Sequence, residues 1–345
     1  MTPIRIHDRA LWCAALGFVA LLLVGACSPT EQPVQPASVE PALHDDYFIT
    51  KDNYKLPLRR FMPEGAPKAV IIALHGMNDY SNAFTGAGDY FKAQGLALYA
   101  YDQRGFGANG MRGIWGGNQN LMTDMAQLAA LVKHEHPSAP VYVLGESMGG
   151  AVAINAMSAA DLAEVDGVIL SAPAVWGEDA MNGFYRASLW LMAHTFPASE
   201  FTGEDLEILA SDNIAMLRAL AMDPLVIKQT RVDAMYGIVG LMDDAYRNIE
   251  QVKKPVLVLY GANDEVIPAD AVTGAIGRIT APYTVAYYPK GYHMLLRDLQ
   301  GEVVLGDIVS WIEDRYKPLP SGSDMGWRDD MRLVYERNAH QAALQ

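Results

Sequence analysis

Cysteine is nearly absent: the chain of 345 residues has two, Cys13 and Cys27. Neither sits in a CxxC pattern, which excludes a zinc ribbon, an iron–sulfur cluster and a redox pair. Positive charge is also scarce, with Lys+Arg at 26 against Asp+Glu at 40 and a net charge of -14. No basic run appears, so nucleic acid is not an expected partner. The acidity argues for solubility and names no substrate. Internal repeats are missing as well. Charged residues make up only 19% and hydrophobic residues 51%, which excludes disorder for most of the chain. The length suits one large α/β domain with an insertion.

The longest apolar run near the N-terminus, Leu11 to Val24, falls short of the ~20 residues that span a bilayer. Arg5 and Arg9 precede it, and it has the proportions of a signal-peptide core. It ends in Gly25-Ala26-Cys27, which resembles the bacterial lipobox. That resemblance implies a leader over residues 1–26 and a lipidated Cys27 as first mature residue. It further implies a bacterial cell-envelope lipoprotein, with Ser28 favouring the outer membrane. Residues 27–43 follow, with four prolines and no aromatic residue between Ser28 and Pro41. Such a composition is expected to form a flexible tether.

Strand-like and helical runs then alternate. Val70–Leu74, Leu96–Tyr101, Val141–Leu144, Gly167–Ser171, Val256–Tyr260 and Thr284–Tyr288 are short apolar runs, as in strands buried on both faces. Asp46–Thr50 and Leu56–Phe61 suggest an opening hairpin. Leu121–His136 and Leu305–Tyr316 carry helical spacing. Together these predict a mostly parallel, doubly wound sheet over 44–174 and 251–317. Between Val175 and Glu250 no convincing strand appears. A stripe of Met181, Phe184, Tyr185, Leu189, Met192 and Phe196 suggests a helical cap, 175–250, most of whose apolar side chains pack onto the sheet. Residues 318–345 have no assigned place.

The most informative stretch is Gly145-Glu146-Ser147-Met148-Gly149-Gly150, between a buried strand and a helix-forming run. Gly145 and Gly149 permit a sharp strand-to-helix turn that presents Ser147 at a helix N-terminus. A serine nucleophile needs a base and an orienting acid. His293 lies in a loop just after the Thr284–Tyr288 run; His340, in the tail, has no strand before it. The acid is expected after Val256–Tyr260, where Asp264 sits in a turn-forming cluster and Glu265 is the alternative. Backbone donors for an oxyanion are expected at Met148 and Met77, the latter after His75-Gly76, where a glycine permits close approach. His75 reads as a supporting residue, since it precedes the acid in sequence.

Leu74–Met77, Asp102–Gly107, Gly145–Gly150, Ser171–Pro173, Asp223–Leu225, Gly261–Asp264 and Gly291–His293 resemble the α/β-hydrolase superfamily. Within it they are closest to the monoacylglycerol lipase and lysophospholipase-like branch. The chain departs from that pattern at Glu146, where many members carry His, and at Ala108-Asn109, where Ser is usual. The resemblance implies an α/β-hydrolase fold with an inserted helical cap and a Ser147–His293–Asp264 acyl-enzyme mechanism. It also implies a single-chain lipid ester or similar small ester as substrate, with no metal or other cofactor. Peptidase and thioesterase chemistry share the same residues, and a non-catalytic surface lipoprotein is the reading of a different class.

Overall fold

A computed structural model describes residues 28–176, 183–203 and 208–328. Its frame is a nine-stranded sheet. Three strands open the chain: β1 (Ala42–Leu43), β2 (Tyr47–Ile49) and β3 (Lys55–Phe61), paired antiparallel. Six parallel strands follow: β4 (Val70–Leu74), β5 (Ala97–Tyr101), β6 (Val141–Glu146), β7 (Gly167–Ser171), then β10 (Val256–Gly261) and β11 (Tyr283–Tyr288). The spatial order is β1-β2-β3-β5-β4-β6-β7-β10-β11. Every residue of β4, β5, β6, β7 and β10 is buried, because helices cover both faces.

Alternation splits each strand between two apolar layers. Val70, Ile72 and Leu74 face a layer built with α2 (Asn118–Glu135), α3 (Met148–Ala159), α6 (Val232–Asn248) and α7 (Ala269–Ile276). Ile71 and Ala73 face the opposite layer with α1 (Thr85–Ala93) and α8 (Gly301–Glu313). Parallel strands carry their loops at one edge of the sheet, so the loops after β4, β6, β10 and β11 collect there.

Between β7 and β10 the chain forms α4 (Gly183–Thr195), α5 (Ile214–Met222) and α6, with a two-stranded pair, β8 (Glu200–Phe201) and β9 (Thr230–Arg231). The expected packing of the apolar stripe does not occur. Phe184, Tyr185, Trp190 and Phe196 are exposed, and α5 buries none of its side chains. Only Ala193 of α4 is buried, and the helix meets α6 partly through an edge-to-face contact of His194 with Tyr236 at 5.6 Å between ring centroids. Met181 lies outside the described residues.

Within the stretch expected as a flexible tether over 27–43, residues 30–32 and 42–43 are docked, while residues 33–40 are exposed. Gln32 is buried; its N–H donates to Trp115 O at 2.8 Å and its carbonyl accepts from Asn120 Nδ2 at 3.0 Å. Thr30 N–H reaches Asp233 at 3.3 Å, and Ala42–Leu43 is already a strand. Prolines keep this segment from coiling, and an extended chain offers its backbone groups to a neighbouring loop. Residues 318–328 also find a place: Leu319 is buried, and Ser323 O accepts from Tyr287 N at 2.8 Å. Cys13, Cys27 and His340 lie outside the described residues.

Candidate active site

Ser147 stands between β6 and α3 with φ +52 and ψ -115. Few L-residues adopt that backbone. Close packing on both sides enforces it: a Cβ on Gly145 would lie 2.4 Å from Gly149 O, and one on Gly149 would lie 2.1 Å from Leu74 O. Ser147 N–H donates to Ser171 O at 2.9 Å, and its carbonyl accepts from Gly150, Ala151 and Ala174. Its main chain is therefore fully engaged, and its hydroxyl makes no hydrogen bond among the described residues.

His293 Nδ1 lies 2.9 Å from Asp264 Oδ2, both side chains being buried. The other carboxylate oxygen, Oδ1, accepts from Val266 N at 2.8 Å and Ile267 N at 3.0 Å. With the acid held by two backbone donors, its second oxygen is placed to accept from Nδ1 of His293, an arrangement that suits the tautomer with Nε2 as acceptor. The acid and histidine loops cross at bare backbone: a Cβ on Gly261 would sit 2.5 Å from the Gly291 carbonyl carbon. Glu265 does not share this pairing, since its carboxylate accepts from Leu209 N at 2.9 Å.

The loop after β4 brings Gly76 against the serine; a Cβ there would be 3.4 Å from Ser147 Cβ. Met77 follows, and Met148 opens α3. Neither N–H has a hydrogen-bond partner among the described residues. His75 is fully buried with Nε2 accepting from Gln103 N at 3.0 Å and Nδ1 donating to Gly76 O at 2.8 Å. Burial lowers its pKa, so it stays neutral and holds the loop.

Several contributing residues carry no motif signal. Arg297 bridges Asp79 (2.7 Å) and Glu146 (2.9 Å). Asp298 accepts from Tyr292 N at 2.7 Å and from Ser211 Oγ at 2.6 Å, and burial raises its pKa. Met294 N donates to Ala210 O at 3.0 Å. Cap residue Ala210 thus holds the peptide after His293, and Ser211 holds the Asp298 carboxylate that accepts from Tyr292 N. Tyr80 OH donates to Asp223 Oδ2 at 2.7 Å, a second tie between cap and sheet domain. Only spacing to His293 could have flagged Arg297 and Asp298, and Ser211 is a lone serine in sequence. A groove of about 540 Å³ along α2, lined by Met122, Ala126, Leu131 and Leu162 among others, holds none of the site residues. Among the described residues, no group of three His, Cys, Asp or Glu side chains could hold a metal ion.

The family model described as Hydrolase_4, serine aminopeptidase, S33, matches residues 65–300. The chain belongs to this family. Sequences similar to it include the monoacylglycerol lipase of Mycolicibacterium smegmatis, 26% identical over 263 residues, covering 72% of this chain and 90% of the relative. The monoglyceride lipase of Rattus norvegicus is 25% identical over 278 residues, covering 78% and 90%. Among solved structures, a soluble variant of monoglyceride lipase from Saccharomyces cerevisiae, in complex with a substrate analog, superposes with a TM-score of 0.66. It is 18% identical and covers 84% of this chain and 98% of its own. This Hydrolase_4 chain thus has the α/β-hydrolase fold and stands in the branch of the monoacylglycerol lipases.

Proposed function

We propose that the protein hydrolyses single-chain lipid esters, such as monoacylglycerols or lysophospholipids, through a serine acyl-enzyme, and is held to the cell envelope by an acylated Cys27. It is a carboxylic ester hydrolase on the α/β-hydrolase fold. Two observations carry the mechanism: the 2.9 Å bond from His293 Nδ1 to Asp264, and a serine held at φ +52 in the strand-to-helix turn after β6.

In this reading Ser147 attacks the acyl carbonyl while His293 Nε2 takes its proton. Asp264 fixes the tautomer and stabilises the imidazolium as it forms. The Met77 and Met148 amides receive the oxyanion. His293 returns the proton to the leaving alcohol, and water then cleaves the acyl-enzyme by the same route in reverse. Gly76, Gly145 and Gly149 support this by allowing the close approaches described above. The single-chain substrate rests on the relatives, which are monoacylglycerol lipases by name. The envelope anchor rests on the Arg5–Cys27 pattern.

The test is labelling by a fluorophosphonate probe, followed by kcat/KM across mono-, di- and triacylglycerols and p-nitrophenyl esters. The expected result is labelling abolished by Ser147→Ala and a preference for monoacyl substrates. Peptide hydrolysis outrunning every ester would favour the aminopeptidase chemistry in the family's description and overturn the substrate reading. A chain that resists the probe overturns the mechanism.

A further inference from the structure

We propose that Arg297 is a positioning residue that sets the nucleophile, the base and an oxyanion donor relative to one another; this rests on the serine-hydrolase reading above. Three loops supply those groups, and each places one side chain in a single buried cluster. Glu146 directly precedes Ser147. Asp79 lies two residues after Met77. Arg297 lies four residues after His293. Its guanidinium donates through Nη1 to Asp79 Oδ2 at 2.7 Å and through Nη2 to Glu146 Oε1 at 2.9 Å. The three side chains are 12%, 8% and 3% exposed for Arg297, Asp79 and Glu146. The planar fork fixes direction as well as distance, which a point charge does not.

The cluster is poorly built as a stabilising device. It places two carboxylates around one cation, leaving a net negative charge out of water. Glu146 Oε2 and Arg297 Nε have no partner among the described residues. Buried ionic groups of this kind add little stability over apolar packing, while they do fix one geometry. Burial by itself would lower the guanidinium pKa; Glu146 and Asp79 outweigh it and raise the pKa, so the cation persists at every working pH.

The other hydrogen bonds of the same loop reach the acid loop, through His293–Asp264 and Asn263 N to Gly291 O, and the cap. Tyr292 N is held by Asp298, Met294 N by Ala210, and Arg297 O accepts from Asn213 Nδ2 at 3.0 Å. The Ala210 and Asn213 bonds tie the His293 loop to the cap, and the Asp298 bond closes the loop on itself. The Arg297 side chain instead ties it to the elbow and the oxyanion loop. The Glu146 that departs from the family pattern is thereby matched by a cation reaching it from the histidine loop.

The experiment compares the parent chain with Arg297→Met, Arg297→Lys and the triple variant Asp79→Asn/Glu146→Gln/Arg297→Met. It reads kcat and KM on a short p-nitrophenyl ester together with thermal midpoints. A misplacement of about 1 Å costs roughly 10²-fold in rate. Arg297→Met is therefore expected to lose about 10²-fold in kcat, with KM nearly unchanged. Arg297→Lys should reach only one carboxylate, keeping most stability and losing about tenfold in kcat. The triple variant removes every charge, so its midpoint should recover relative to Arg297→Met while kcat stays low. Parent-level kcat in folded Arg297→Lys, or recovery of kcat with stability in the triple variant, overturns the proposal. If Arg297→Met does not fold, the lysine variant decides alone. If the parent chain neither cleaves esters nor reacts with a fluorophosphonate, the serine-hydrolase reading has failed; an active parent with indifferent Arg297 variants refutes only the positioning role.

Discussion

Ser147 is held in a backbone conformation that disfavours a side chain, with φ at +52. Strain of this kind costs of order 1–3 kcal/mol and persists where the surroundings over-determine it. Ser147→Gly is expected to raise stability by about 1 kcal/mol while abolishing ester turnover. Ser147→Ala keeps the Cβ, so its thermal midpoint should stay near the parent's while kcat falls on the order of 10⁶-fold. Calorimetry on the pair separates strain from chemistry; equal midpoints for Gly and Ala would argue against stored strain. His75 adds a pH dependence. Its folded pKa lies below the unfolded 6.5, so its contribution is complete above that pH and drains away as pH falls toward the folded pKa. His75→Leu leaves the buried Gln103 N–H without its acceptor and should cost about 1–3 kcal/mol at pH 7.5. Urea midpoints at pH 7.5 and 5 should show the gap narrowing on acidification; a gap that widens contradicts the assignment.

At the scale of elements, charged and polar contacts hold the site's surroundings. Arg104, in the turn after β5, binds Asp124 of α2 (Nε to Oδ2, 2.7 Å) and Asp52 of the β2–β3 turn (Nη1 to Oδ2, 2.7 Å). Arg104→Met strands the buried Asp124 and the half-buried Asp52 and should cost about 3–5 kcal/mol, measured as a lower denaturant midpoint at constant slope. The cap is tied to the sheet domain by several hydrogen bonds, among them Tyr80–Asp223 and Ser211–Asp298. Tyr80→Phe removes one neutral-to-charged hydrogen bond and should cost no more than about 1–2 kcal/mol. Its signature is faster amide exchange in α5 than in the sheet strands. Exchange quickened equally everywhere would mean the bond serves the whole fold. Hydrogen-bond partners such as these cannot be read from periodicity, because they join residues 143 and 87 positions apart.

For the whole molecule, the N-terminal segment changes the picture of how the enzyme is carried. Residues 30–32 already lie against Trp115, Asn120 and Asp233. Only Ser28 and Pro29 separate Cys27 from that docked chain. An acylated Cys27 would therefore sit on a short leash. More than one acyl chain gives stable attachment, whereas one does not. Intact-mass analysis of membrane-extracted protein should show a diacylated or triacylated Cys27, and Cys27→Ser should release the enzyme or leave it unprocessed. A free thiol at Cys27, or a different mature N-terminus, defeats this expectation. Among the described residues, no helix is long and apolar enough to cross a membrane.

The sheet was legible in the sequence because a strand buried on both faces must be apolar at every position, as in Val70–Leu74 and Val256–Gly261. The serine turn was legible because backbone there packs within a methyl group's reach of Leu74 O, a constraint only glycine satisfies. Chain order and loop position singled out His293 and Asp264, whose pairing is a contact across 29 residues. Tertiary structure alone decided the rest. Whether Phe184 or Trp190 faces inward depends on what lies opposite, and α6 meets α4 at Ala193 and through the His194–Tyr236 ring contact instead. Whether a proline-rich segment is loose depends on whether a neighbour offers partners for its backbone, as Trp115 and Asn120 do for Gln32. Composition and periodicity report local preference and burial; charge pairs such as Arg297–Glu146 form where distant loops converge, and that convergence exists only once the sheet has brought its strand ends to one edge.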